Sequence, residues 1–157
     1  MIEIEIANEQ ESMDIDEDHI RQAVRTVLGR EGIRKAEMSI ALVDDPRIHE
    51  INRQFLNHDR PTDVISFLLS DTPSVLEGEI VLSTDTAGRE AKKVGGAWSP
   101  EDEVLLYVVH GTLHLTGYDD HADDDLAAMR KAELECLRAM GIEAPDTLHD
   151  RDEEEAA

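Results

Sequence analysis

Residues 110–121 read HGTLHLTGYDDH, which places three of the chain's seven histidines within one short segment. His110 and His114 stand four apart in an otherwise apolar run, VLLYVVHGTLHL. On a helix this spacing projects both rings from one face, about one turn apart. It is the spacing with which a helix offers two imidazoles to one tetrahedral metal. Burying two unpartnered imidazoles in so apolar a segment would be costly. Gly117 can take the backbone conformation that ends a helix and reverses the chain. The return path then carries Asp119, Asp120 and His121 past the helical pair. Three imidazoles with an open fourth position is the form of a catalytic zinc site, and no cysteine lies nearby to close a structural one.

A zinc ion on neutral histidines keeps its full charge, lowers the pKa of bound water to about 7, and polarises a phosphoryl or carbonyl oxygen. Hydrolysis is therefore the expected chemistry. A peptidase built on paired helical histidines carries glutamate directly after the first of them, as general base. Here that position is Gly111, which disfavours peptide hydrolysis. Asp119 or Asp120 could instead hydrogen-bond a ligand imidazole and orient it.

The elements that must position these residues follow from periodicity. IEIEI at 2–6 alternates as a half-buried strand does. Ile20, Ala23, Val24, Val27 and Leu28 recur at helical spacing, with Asp16 as cap and Gly32 at the end. MSIALV at 38–43 reads as a strand, followed by a helix with Asp45 as cap and Pro46 as first helical residue, burying Ile48, Ile51 and Phe55. DVISFLL at 63–69 and EIVLS at 79–83 read as two further strands. Thr84 is the expected cap of a short helix containing Gly88. Ser99-Pro100 with Glu101, Asp102 and Glu103 is a strong start for the helix that carries His110 and His114. A last helix spans about 123–140 and presents Leu126, Met129, Leu134, Leu137 and Met140. The order β-α-β-α-β-β-α-α-α predicts an α+β fold: a small mixed four-stranded sheet packed with about five helices. The metal site then sits at the end of a helix in the C-terminal half. Residues 1–145 read as one domain, and 146–157 as an acidic, disordered tail.

Charge sets limits on what the surface can do. Fifteen Lys and Arg stand against 37 Asp and Glu, a net charge of −22, so the chain repels polyanions at long range. Residues 20–60 nevertheless carry eight basic and six acidic side chains. Together with Arg89, Lys92 and Lys93 they are the expected source of phosphate contacts. Extensive base stacking is not expected, because aromatics make up only 3% of the chain. No run approaches the roughly 20 apolar residues of a membrane span, and the acidic, alternating first residues do not read as a secretory signal. The lone Cys136 fits a reducing, cytoplasmic setting.

HGTLHLTGYDDH resembles the signature of the YbeY family of bacterial metal-dependent endoribonucleases. INRQFLNHDRPTDVISF at 51–67 and GEIVLSTDTAGREA at 78–91 resemble two further motifs of that family. The resemblance implies one zinc ion per chain on His110, His114 and His121, single-stranded RNA as substrate, and action in 16S rRNA 3′-end maturation and ribosome quality control. It also implies rRNA and ribosomal small-subunit components as partners, and places Thr62 and Asp63 beside the cleft. The sequence departs from the family pattern twice. Asp119 and Asp120 stand where the family has one aspartate, so Asp120 rivals His121 for the third ligand place. Leu56 stands where many members have an arginine, leaving Arg53, His58 or Arg60 to contact substrate. The catalytic base is to be sought among Asp63, Asp119 and Asp120. A non-catalytic, metal-stabilised ribosome-assembly factor is the alternative reading, and an amide or peptide hydrolase a weaker one.

Overall fold

Strict alternation in the N-terminal residues begins the sheet. The computed structural model describes residues 1–56, 63–71, 75–119 and 122–149. Strand β1 (Ile2–Asn8) leads through helix α1 (Glu17–Arg30) to β2 (Ala36–Val43). Helix α2 (Asp45–Leu56) precedes the antiparallel pair β3 (Val64–Asp71) and β4 (Leu76–Ser83). Helices α3 (Thr84–Val94), α4 (Pro100–Leu115) and α5 (Asp123–Ala139) complete the chain. The sheet order is β1-β2-β4-β3, with β1, β2 and β4 mutually parallel and β3 antiparallel on one edge. The α+β architecture with five helices and a mixed four-stranded sheet matches the sequence-based expectation.

The two faces of the sheet bury different things. Ile2, Ile4, Ile6, Met38, Ile40, Ile80 and Leu82 face the main core, which contains α1, α4 and α5. On the other face Val43, Ile65 and Val81 pack with Ile48 and Ile51 of α2 in a smaller cluster. Helix α4 lies at the centre of the main core. Val104 through Val109 and Gly111 through Leu113 are all buried, apart from His110, which is half-buried. A helix apolar on every side belongs inside a protein, and this one is started by a capping box. Ser99 Oγ accepts from the Asp102 amide at 3.1 Å, and Asp102 Oδ2 accepts from the Ser99 amide at 3.0 Å.

Three local expectations are corrected. Asp44, rather than Asp45, caps α2: its Oδ1 accepts from the Arg47 amide at 3.0 Å. Asp45 is thereby released to accept from Ser83 Oγ at 2.6 Å, Thr86 Oγ1 at 2.7 Å and Arg89 at 2.6 Å. Ser83, rather than Thr84, caps α3, because its hydroxyl accepts from the Thr86 amide. The Thr84 hydroxyl contacts Gln10 and the Val43 carbonyl instead. The third correction concerns the expected tail. Leu148 is only 1% exposed and belongs to the main core, and its amide donates to the Pro145 carbonyl at 3.0 Å. Ordered packing therefore continues to His149, and residues 150–157 lie outside the described residues.

Asp45 ties the start of α2 to the start of α3. Burial pushes its carboxyl pKa up, but the bonds from Arg89, Ser83 and Thr86 outweigh this and leave it below the ordinary value. A depressed folded-state pKa contributes stability that is fully present above the unfolded value of about 3.9 and is lost as pH falls through the folded one. Asp45→Ala is expected to cost about 1–3 kcal/mol at pH 7, since it leaves several donors unmet. Urea unfolding at pH 7 and pH 3 checks this, with the difference between the two proteins shrinking at the lower pH.

The second face of the sheet also carries acid. Alternation sends Glu3, Glu5, Glu37, Glu77 and Glu79 away from the main core, and register sets Glu3 opposite Glu37 and Glu37 opposite Glu77. Neighbouring strands lie about 4.8 Å apart, and like charges placed opposite one another are destabilising. Glu37→Lys, at the middle of this row, is expected to raise stability by about 0.5–1 kcal/mol. The gain should be larger in 10 mM salt than in 500 mM salt, read by thermal unfolding in both.

Candidate metal centre

Two glycines let α4 approach the sheet closely enough to carry its histidines to the surface beside β3. A Cβ on Gly78 of β4 would lie 2.6 Å from Leu115 Cδ1, and one on Gly111 would lie 2.9 Å from Ser66 Oγ and 3.2 Å from Ile80 Cδ1. Ser66 Oγ of β3 donates to the Gly111 carbonyl at 3.2 Å. Position 111 therefore faces the sheet rather than a cleft, and no side chain there can serve as a base.

The helix ends as its sequence predicts. Gly117 has φ +112°, the Gly117 amide donates to the His114 carbonyl, and the Tyr118 amide donates to the Leu113 carbonyl, both at 3.1 Å. This reversal brings the Tyr118 carbonyl back onto His114, whose Nδ1 donates to it at 3.0 Å. Tyr118 is itself held from outside, because Arg30 at the end of α1 donates to its hydroxyl at 2.9 Å and to Glu135 of α5 at 2.6 Å. The bonds to Glu135 and Tyr118 hold the Arg30 guanidinium pKa above its ordinary value.

His110 is oriented by a different element. Its Nδ1 lies 2.5 Å from Glu133 Oε1 on α5, and Glu133 is only 3% exposed. A carbonyl oxygen can only accept and a carboxylate accepts at Glu133, so each Nδ1 is the donating nitrogen and Nε2 is the one each ring can offer to a metal. The two Nε2 atoms lie 3.1 Å apart, with the rings nearly perpendicular at 82°. Two imidazole nitrogens brought together over that distance can share a cation. Two nitrogens bound to tetrahedral zinc at about 2.0–2.1 Å would stand roughly 3.3 Å apart. The donor set fits such an ion.

The remaining candidates fall into place unevenly. His121 and Asp120, the rivals for the third ligand place, lie outside the described residues, as do His58, Arg60 and Thr62. Among the described residues no group of three His, Cys, Asp or Glu side chains could hold a metal. Asp119 is exposed and directly follows the carbonyl that orients His114. It borders an open depression shared with Glu31, Gly117, Tyr118 and Asp125. Asp63 is exposed and accepts from the Val64 amide at 2.7 Å, which makes it part of the turn into β3. Arg53 is exposed in the last turn of α2, and Leu56 ends that helix.

Among the described residues, the cations expected to contact phosphate do not share one face of the protein. Helices α1 and α2 pack on opposite faces of the sheet. Arg21, Arg30, Arg47, Arg89 and Lys93 each lie against a carboxylate. Cys136 is buried, which raises its thiol pKa and makes it an unreactive packing residue. Glu133 lies outside the motifs read from the sequence, and His149 falls within the expected tail at 146–157. His149 Nε2 lies 3.3 Å from Glu133 Oε2, within ion-pair range but outside hydrogen-bond geometry, so a second imidazole stands behind the carboxylate that meets His110. The readable signal was an acid in the otherwise apolar stripe Met129, Ala132, Cys136 and Leu137 of α5.

A family profile described as Endoribonuclease YbeY matches residues 5–141. The chain belongs to the YbeY family. A protein of Rhodopirellula baltica named Endoribonuclease YbeY is 45% identical over 126 residues, covering 80% of this chain and 65% of its own length. One of Carboxydothermus hydrogenoformans with the same name is 40% identical over 143 residues, covering 88% of this chain and 98% of its own. The solution structure of TM1509 from Thermotoga maritima superposes with a TM-score of 0.58 at 26% identity, covering 89% of this chain and 91% of that one. The YbeY match begins within β1 and runs through α5, and so includes both helical histidines and Glu133. No helix among the described residues is long and apolar enough to cross a membrane.

Proposed function

We propose that this chain is a zinc-dependent, single-strand-specific endoribonuclease acting in 16S rRNA 3′-end maturation and ribosome quality control in the cytoplasm. It would work there on rRNA within small-subunit particles. The observation that carries the metal is the pair of Nε2 atoms 3.1 Å apart, with both Nδ1 protons committed elsewhere. The shared name of its relatives supports RNA as substrate. His110 and His114 hold the ion, and His121 supplies the third imidazole, with Asp120 as its rival. Zinc held there supplies Lewis acidity for attack on phosphorus and for the charge that develops on the phosphoryl oxygens.

The protein's own groups supply the rest. Asp119, exposed and one residue past the carbonyl that orients His114, is the candidate to take a proton. Asp63 has its carboxylate on the Val64 amide, which suits a turn more than a base. Arg53, His58 and Arg60 are the cations proposed to meet substrate phosphates, in place of the arginine that Leu56 replaces. Peptide hydrolysis is disfavoured because the position that would carry its glutamate is packed against Ser66 and Ile80.

The test is zinc content by mass spectrometry of the native protein, together with cleavage of end-labelled single- and double-stranded RNA before and after chelation. One zinc per chain and chelator-sensitive cleavage of the single strand are expected. Stoichiometric zinc with no cleavage would instead favour a metal-stabilised assembly factor.

A further inference from the structure

An acid buried among apolar residues usually has a task that packing does not explain. Glu133 lies on the inner stripe of α5 beside Met129, Ala132, Cys136 and Leu137, where a hydrophobic side chain would pack equally well. Its two carboxylate oxygens meet two different imidazoles. Oε1 lies against His110 Nδ1 at 2.5 Å, and Oε2 lies 3.3 Å from His149 Nε2. His149 is brought there by the chain beyond α5, where Gly141 (φ +81°) turns the backbone and Leu148 plugs into the main core. The segment from Ile142 to His149 thus forms a strut that ends on the far side of the Glu133 carboxylate.

We infer that Glu133 is the positioning residue for His110, and that His149, set by the C-terminal turn, steadies Glu133 in that task. The inference rests on the proposed metal centre and extends it by one layer. A carboxylate on Nδ1 fixes the imidazole tautomer, aims Nε2 outward and makes it a stronger donor to a metal. His114 receives a weaker version of the same service from the neutral Tyr118 carbonyl. The two ligands are therefore held unequally, His110 by a carboxylate and His114 by a neutral carbonyl. Loss of an orienting partner of this kind typically lowers metal affinity 10–100-fold.

Zinc dissociation constants, read by competition with a chromophoric chelator on the full chain, test this. Glu133→Ala is expected to weaken zinc binding about 10–100-fold, and Glu133→Gln, which keeps an acceptor but not the charge, about 10-fold. His149→Ala is expected to weaken it a few-fold, and His149→Gln, which keeps a polar group behind Glu133, to recover most of that loss. Circular dichroism accompanies each measurement, so affinity is compared among folded proteins. If Glu133 only anchors the C-terminal turn, Glu133→Gln and His149→Ala will lower the unfolding midpoint and leave the zinc constant at the wild-type value, which overturns the inference. Failure of the metal reading looks different. Wild type and His114→Ala would then be equally indifferent to zinc.

Discussion

His114→Ala is expected to abolish stoichiometric zinc and to lower single-stranded RNA cleavage by about three orders of magnitude. Loss of a metal that stabilises developing charge removes several kcal/mol from the transition state, and each 1.4 kcal/mol is tenfold in rate. The variant should still fold. His114 is half-buried at the last turn of α4, and its Nδ1 donates to the Tyr118 carbonyl. Losing that bond costs about 1 kcal/mol, while the Gly117 reversal keeps its own amide bonds to His114 and Leu113 backbone. Chelator-resistant cleavage at the wild-type rate by the folded variant would remove His114 from the chemistry altogether. Equal loss of zinc in His110→Ala would show that neither helical imidazole suffices alone.

The second large effect is expected from the position that a peptidase would fill with its base. Gly111→Glu should not create a peptidase. It should prevent folding, because the new side chain is aimed into the sheet. Its Cβ alone falls 2.9 Å from Ser66 Oγ and 3.2 Å from a buried Ile80 methyl. The rest of the side chain would have to bury a carboxylate where only Ser66 offers a hydroxyl, and that hydroxyl is spent on the Gly111 carbonyl. A loss above about 4 kcal/mol, a large share of a small domain's stability, is expected. Gly111→Ala separates the two causes. Alanine gains about 1 kcal/mol of helix propensity but overpacks by about 1–3 kcal/mol, so a small net loss is expected. Urea unfolding of the alanine variant and soluble yield of the glutamate variant check both. A well-folded Gly111→Glu protein with peptidase activity would mean that position 111 opens onto the cleft after all.

Part of the site was readable because it is local. Residues four apart on one helix, a glycine three residues later and a chain reversal involve a dozen neighbouring positions, and the structure places His110, His114, Gly117 and Tyr118 as that spacing implies. Glu133 was not readable in the same way. It meets His110 across 23 residues, and in sequence it is one acid among many in a strongly acidic half. His149 looked like tail because the buried Leu148 beside it is a single apolar residue with no periodic neighbours. The strands were legible from alternation, but their order was not. β4 inserts between β2 and β3, a pairing that only long-range packing of α4 and α2 on opposite faces can decide. The caps of α2 and α3 slipped by one residue because Asp44-Asp45 and Ser83-Thr84 each offer two suitable oxygens. The loser of each pair was recruited elsewhere, Asp45 by Arg89 and Thr84 by Gln10.

The glutamates of β1 have a meaning for contact between molecules. Among the described residues β1 ends the sheet, and its outer edge pairs with no further strand. Pairing of such an edge with another copy is the common first step of strand-mediated aggregation, and charge along an edge opposes it. Glu3 and Glu5 set charge along that edge, and in a pair of β1 strands they would crowd carboxylates on one face. The opposite edge is built otherwise. β3 exposes Leu68 and Leu69, at 50% and 63%, and its Ser66 bonds the helix that carries the histidines. The sheet therefore carries carboxylates along its β1 edge and exposed leucines on its β3 edge.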